Sequence, residues 1–240
     1  MDFKGKTALV TGSSRGIGES IALRLSHLGI NVVITGRDTK KLEVLKQKMQ
    51  LIGTAPHMVV ADISDPATPK KLLEETIQVF GRLDILINNA GYAVSKSISD
   101  TSLNEWDHMM VINARGPFLL CQASIPHLQK SECATIINIS SVVGRMGYEN
   151  QAAYAASKHA LMGFSKVLAK EVQPLGIRVH TIAPGGVSTD MVKTMRPDLD
   201  LSNLISPEEI TDIVAFLLQF RGNAMIDNID VRRSNGTPFA

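Results

Sequence analysis

A strand-like run followed by a helix-like run recurs along this chain, and that alternation constrains the fold more than any other feature. Residues 7–10 form a short apolar run. Residues 17–28 follow, with Ile21, Leu25 and Leu28 at helical spacing. Residues 31–35 are continuous and β-branched, as a strand buried on both faces requires. Further strands are expected at 57–61, 83–87, 135–139 and 177–183, with a weaker one at 226–231. Helices are expected at 40–51, 66–80, 105–128, 151–172 and 207–220, the third crossed by Gly116, Pro117 and Pro126. Such βαβ order dictates an α/β fold of three layers, doubly wound, with a mostly parallel seven-stranded sheet. No Pro/Gly/Ser linker or fixed-period repeat divides the chain, so residues 1–240 are expected to form one domain. Ligands of such sheets bind at the carboxyl ends of strands. The polar breaks at 11–18, 88–91, 140–147 and 184–190 all follow strands and should gather on one edge.

Composition narrows the partners. A net charge of +2 gives no reason to expect nucleic acid or an anionic membrane. No run approaches the roughly 18 apolar residues of a transmembrane helix, and residues 1–6 lack the apolar core of a signal peptide. Cys121 and Cys133 have neither disulfide-framework nor metal-ligand spacing, which suits reduced thiols in a cytoplasmic protein. His57, His108, His127, His159 and His180 form no ligand pattern, so no metal is expected.

The first strand and helix are joined by Thr11-Gly12-Ser13-Ser14-Arg15-Gly16-Ile17-Gly18. Glycines let the turn bend and let a diphosphate approach the backbone, and the helix start then offers free N–H groups. The spacing is not G-x-G-x-x-G, and a glycine turn alone could be purely structural. Its place at the first βα junction favours a dinucleotide. The second strand ends Thr35-Gly36-Arg37, where an NAD enzyme commonly carries a carboxylate for the ribose 2′-hydroxyl. Arg37, with Arg15, suits a 2′-phosphate instead, so NADP(H) is preferred and NAD(H) remains possible. Asp38 is the competing feature: it lies one residue on and could reach the ribose instead. Asp62, after the third strand, could accept from an adenine amino group or form a turn with Ser64 and Asp65.

Tyr154 and Lys158 are four residues apart and share a helix face. A nearby ammonium favours phenolate, so it should lower the phenol pKa from about 10 and make tyrosine usable as acid and base. Alone, the pair could be an exposed helical pair, Ser141 a turn serine and Asn113 a helix-interior polar residue. In combination they carry more. Thr11-Gly12-x3-Gly16-Ile17-Gly18, Asn88-Asn89-Ala90-Gly91, Asn113, Ser141, Tyr154-x3-Lys158 and Pro184-Gly185 stand in the order and approximate spacing of the short-chain dehydrogenases/reductases. The chain resembles that family, in its single-domain form, over about residues 5 to 190.

The resemblance implies a Rossmann fold and a role for each residue. Tyr154 would give or take the proton on the substrate oxygen, and Lys158 would hold the nicotinamide ribose and lower the tyrosine pKa. Ser141 would polarise the carbonyl, and Asn113 would hold a proton-relaying water. Gly12, Ser14, Arg15 and Ile17 would line the cofactor from the turn, with Arg37, Asp62 and Ile63 after the second and third strands. Asn89, Ala90 and Gly91 would do so after the fourth strand, Pro184, Gly185, Val187 and Thr189 after the sixth, and Tyr154 and Lys158 themselves would touch it.

The implied function is hydride transfer between nicotinamide and a small-molecule ketone or secondary alcohol. The nearest rival is a 3-oxoacyl-thioester (acyl carrier protein) reductase. Against it, the chain ends in residues 230–240 without the Val-Asp-Gly-Gly-like segment common in those enzymes. A non-catalytic nucleotide-sensing protein is a second alternative, opposed by the intact Asn113, Ser141, Tyr154 and Lys158. A methyltransferase shares the βα order but has no use for Tyr154 and Lys158. Relatives form homodimers or homotetramers through the two long helices, here 105–128 and 151–172. There Ala152, Ala155, Ala156 and Ala160 would permit close packing or simply face the sheet. Residues 190–206, where the family carries its substrate lid, are few, so an open site is expected.

Overall fold

The computed structural model describes residues 2–237; residues 238–240, the end of the tail considered above, lie outside it. Among the described residues, seven strands form one all-parallel sheet. They are β1 (Thr7–Thr11), β2 (Asn31–Gly36), β3 (His57–Val60), β4 (Ile85–Asn88), β5 (Thr135–Ile139), β6 (Arg178–Pro184) and β7 (Asn228–Val231). Their spatial order is β3-β2-β1-β4-β5-β6-β7, so the chain winds outward twice from β1. The reversal between β1 and β4 creates a crevice at their carboxyl ends, which is where ligands of doubly wound sheets sit.

Among the described residues, eight α-helices connect the strands: α1 (Gly16–His27), α2 (Thr39–Ile52), α3 (Thr68–Phe80), α4 (Leu103–Met110), α5 (Gly116–Leu128), α6 (Ala152–Val172), α7 (Asp190–Met195) and α8 (Pro207–Gln219). Alternate side chains of each strand enter opposite layers. In β1, Ala8 and Val10 pack with Ile21 and Leu25 of α1 and with Val214 and Leu217 of α8. Leu9 points the other way, into a second core with Leu72 of α3, Leu120 of α5 and Leu168 of α6. These buried runs are why the central strands read as continuously apolar.

Two expected boundaries shift for visible reasons. The helix expected over 105–128 is two α-helices joined by a π-helical turn, Val111–Arg115, which carries Asn113. π turns insert one residue and commonly mark functional sites. The start of this unit is earlier than expected because Ser102 and Glu105 form a capping box, each side chain bonding the other's backbone N–H. Pro126 sits in the last turn of α5 without ending it early. Gly81 closes α3 in the left-handed conformation, with φ 71°. Among the described residues, no helix is long and apolar enough to cross a membrane.

Candidate active site

The glycine turn lies at the floor of the crevice, and each glycine is there for a different contact. Gly12 has φ +63°, and a Cβ there would lie 2.8 Å from Ala90 Cα in the loop after β4. At Gly16, with φ +59°, a Cβ would lie 3.0 Å from Thr189 Cγ2 before α7. One at Gly18 would lie 2.4 Å from both Gly12 O and Asn89 Nδ2. Asn89 is therefore a clamp: its Nδ2 donates to Thr11 O at 2.9 Å and to Gly12 O at 3.1 Å. Thr11 Oγ1 returns the tie by accepting from the backbone N–H of Asn89 and Ala90, both at 3.0 Å. Helix α1 then starts with no side-chain cap at Arg15. Gly16 and Ile17 of its first turn line the crevice, and a cradle without Cβ atoms lies beside them. That combination fits a diphosphate.

Gly12, Ser14, Arg15, Ile17, Arg37, Asp62, Ile63, Asn89, Ala90, Gly91, Tyr154, Lys158 and Thr189 all line one cleft. Pro184, Gly185 and Val187 do not. Their polar or apolar groups are taken by the sheet and core behind it: Pro184 O accepts from Ser141 Oγ at 3.3 Å, and Gly185 N donates to Val231 O at 2.7 Å. Val187 is buried and bridges to Ile205. Pro184 thereby holds the Ser141 hydroxyl, which does not itself line the cleft, and Val187 anchors the segment that leads to α7. Sequence reasoning missed Ile139, Asp190 and Met191, which also wall the cleft. The last two follow Thr189 directly, and no motif marked them. The short segment after Thr189 is not simply open, as its length implied. Met191 Cε lies 3.8 Å from where a Cβ of Gly91 would be, so α7 reaches across to the loop after β4.

Both acidic residues with open alternatives have partners within the chain. Asp38 caps α2, accepting from Lys41 N at 3.1 Å, which is its local duty. Asp62 accepts from Ser64 N at 2.9 Å in the expected turn and also lies 3.6 Å from Arg37. Burial raises its carboxyl pKa, yet the Ser64 bonds and the Arg37 charge outweigh this and hold it below the usual range.

The catalytic candidates meet on the other wall. Lys158 is 4% exposed, and its Nζ donates to Ile139 O at 2.9 Å while lying 5.9 Å from the Tyr154 ring centre. Burial lowers the lysine pKa to about 8. Burial likewise pushes Tyr154 up to about 12, with the Ser141 hydroxyl pulling weakly the other way. This corrects the expectation of a depressed phenol: desolvation dominates at Tyr154, while the Lys158 ammonium is held by the Ile139 carbonyl. In the protein alone, the Tyr154 phenol keeps its proton at neutral pH.

Asn113 is brought near the cluster but not into the cleft wall. It is fully buried, and its amide bonds the Tyr92 backbone from both sides, accepting from N at 2.8 Å and donating to O at 2.7 Å. The remaining Nδ2 hydrogen goes to Ser157 Oγ at 2.9 Å, and Ser157 Oγ donates to Tyr154 O at 2.7 Å. Both donor positions of Nδ2 are thus taken, so its visible work is to tie the loop after β4 to the start of α6.

Comparison with known proteins agrees with this geometry. The sequence profile described as short chain dehydrogenase matches residues 6–200. The chain belongs to the short-chain dehydrogenase/reductase family. It is 35% identical over 224 residues to a 3-oxoacyl-(acyl-carrier-protein) reductase of Aquifex aeolicus, covering 90% of each chain. The Salmonella typhimurium enzyme of the same name is 38% identical over 225 residues, covering 90% of this chain and 91% of that one. Among solved structures, a metagenomic short-chain oxidoreductase in complex with NADP superimposes with TM-score 0.85 and 31% identity, over 98% of this chain and 100% of that one. As a member of this family the protein is an NAD(P)-dependent oxidoreductase.

Proposed function

We propose that this short-chain dehydrogenase/reductase uses NADP(H) to interconvert a ketone and a secondary alcohol. The carrying observation is that the Tyr154 and Lys158 side chains open onto the same cleft as the glycine turn. A bound nicotinamide cofactor supplies the hydride. Tyr154, protonated across the neutral range, holds its proton for the oxygen on which alkoxide charge develops, and the Ser141 hydroxyl, which rests on Pro184 O at 3.3 Å, would turn from that carbonyl to act as a second donor. Lys158 is charged below about pH 8 and supplies the positive charge that Tyr154 needs when it serves as base in the reverse direction. Asn113 acts as a positioning residue through Tyr92 and Ser157, with any relayed water held by other atoms than its Nδ2. Arg15 and Arg37 favour a 2′-phosphate, and the cap role of Asp38 removes the nearest carboxylate that would select a free ribose hydroxyl.

A second reading is reduction of 3-oxoacyl thioesters, supported by the curated relatives named above. A self-association surface is supported by exposed Phe118 on α5 and Val167 on α6, with Ala152, Ala155, Ala156 and Ala160 half-buried in the first half of α6. A panel of ketones, secondary alcohols and 3-oxoacyl thioesters, run with NADPH and NADH, tests both activity readings. Turnover of simple ketones with a kcat/KM preference for NADPH supports the first. Turnover confined to thioesters replaces it with the second, and equal use of both cofactors removes the NADP(H) assignment.

A further inference from the structure

The two cations that favour a 2′-phosphate are both engaged by carboxylates of the chain itself. Arg37 Nη1 lies 3.6 Å from Asp62 Oδ2. Arg15 Nη1 lies 3.4 Å from Asp190 Oδ2, and Lys41 Nζ lies 3.8 Å from that same oxygen. Asp190 therefore joins three elements: the glycine turn through Arg15, α2 through Lys41, and α7, which it begins. It lines the cofactor cleft and also a basic groove beside it that contains Lys40, Lys41, Lys48 and Lys193. The other carboxylate of that groove, Glu19, is taken by Lys48 at 2.8 Å.

Building on the NADP(H) reading, we propose that Asp190 is an internal counter-ion that competes with the cofactor 2′-phosphate for Arg15 and Lys41. Its pairs are built for exchange. All three side chains are about half exposed, and exposed ion pairs hold weakly. A phosphate dianion carries more charge and matches the guanidinium fork, so it displaces a single carboxylate. Exchange then has a mechanical consequence. When Arg15 and Lys41 turn to phosphate, α7 loses two side-chain ties to the cofactor side, while Met191 on the same helix spans toward Gly91. Choice of cofactor and freedom of α7 are thereby coupled, and the coupling is reciprocal.

The test is calorimetric binding of adenosine 2′,5′-bisphosphate and of 5′-AMP, which need no turnover. The wild-type protein is expected to prefer the bisphosphate. Asp190→Asn should bind the bisphosphate roughly threefold more tightly, the scale of one exposed ion pair, and bind 5′-AMP as before. Asp212→Asn, which breaks the Arg24–Asp212 pair elsewhere on the surface, removes the same charge and should change neither. Hydrogen exchange of residues 190–195 should rise with the bisphosphate but not with 5′-AMP, and in Asp190→Asn should be high without ligand. Unchanged or weaker bisphosphate binding by Asp190→Asn overturns the proposal, as does equal tightening of 5′-AMP. A wild-type protein indifferent to the 2′-phosphate overturns the NADP(H) reading and this proposal together.

Discussion

Replacing Asn113 by alanine separates a positioning role from a proton-relay role. The side chain is fully buried and makes three hydrogen bonds, two to the Tyr92 backbone and one to Ser157. Each is worth about 1 kcal/mol net, and a polar group left unpaired adds to the loss. Tyr92 is half-buried, so water recovers part of that addition, and Ser157 keeps its bond to Tyr154 O. The sum is about 3 kcal/mol. For a protein of this length, each kcal/mol moves the melting temperature by roughly 2–4 °C, so the variant should melt about 6–12 °C lower. Thermal unfolding of the cofactor-free protein, followed by circular dichroism, measures it. Activity should fall as well, because the loop after β4 and the start of α6 lose their tie. A variant that melts within about 1 °C of wild type yet is inactive refutes the positioning account and restores the relay.

Three further outcomes follow from the same geometry. Gly18→Ala places a Cβ 2.4 Å from Asn89 Nδ2, so it should break the Asn89 clamp and weaken cofactor binding at least tenfold in a fluorescence titration; Gly147→Ala, with nothing near its Cβ, should leave binding unchanged. Lys158 has its pKa lowered to about 8 in the folded protein, so at this group the unfolded state binds more protons between about pH 8 and 10.5 and its contribution to stability should rise with pH across that window. Denaturant unfolding should show the wild type gaining stability relative to Lys158→Met from pH 8 to 10; the comparison cancels the opposing contributions of Cys121, Cys133 and Tyr154, whose pKa values burial raises. Asp38→Ala should cost about 1 kcal/mol as a lost helix cap while leaving the NADH KM unchanged; a raised NADH KM would mean that Asp38 holds the ribose after all.

Much of this was legible in the chain because its signals are local. Continuous β-branched runs marked the buried strands, and glycines marked the turn at the crevice. Tyr154 and Lys158 were found by spacing on one helix. What local pattern could not show was the balance of nonlocal effects. The phenol pKa depends on burial that only the folded cleft creates, and burial reversed the expected direction. Asn113 was legible as a residue of the family pattern, but its bonds to Tyr92, 21 residues away, exist only because a π turn aims it there. Asp190 drew no attention because its partners, Arg15 and Lys41, are distant in sequence. The inward placement of Pro184, Gly185 and Val187 likewise follows from β7 and Ile205 closing behind them.

The central claim is that Tyr154 is the proton donor at the reacting oxygen. The most direct measurement is the single-turnover reduction rate of Tyr154→Phe with saturating NADPH and a ketone turned over by the wild type, alongside its NADPH dissociation constant. General acid catalysis of this kind is worth about 10²–10⁴ in rate. The account predicts a loss in that range with cofactor affinity held within about twofold, since the ring remains and only the hydroxyl is removed. A variant that reduces the ketone at the wild-type rate would contradict it.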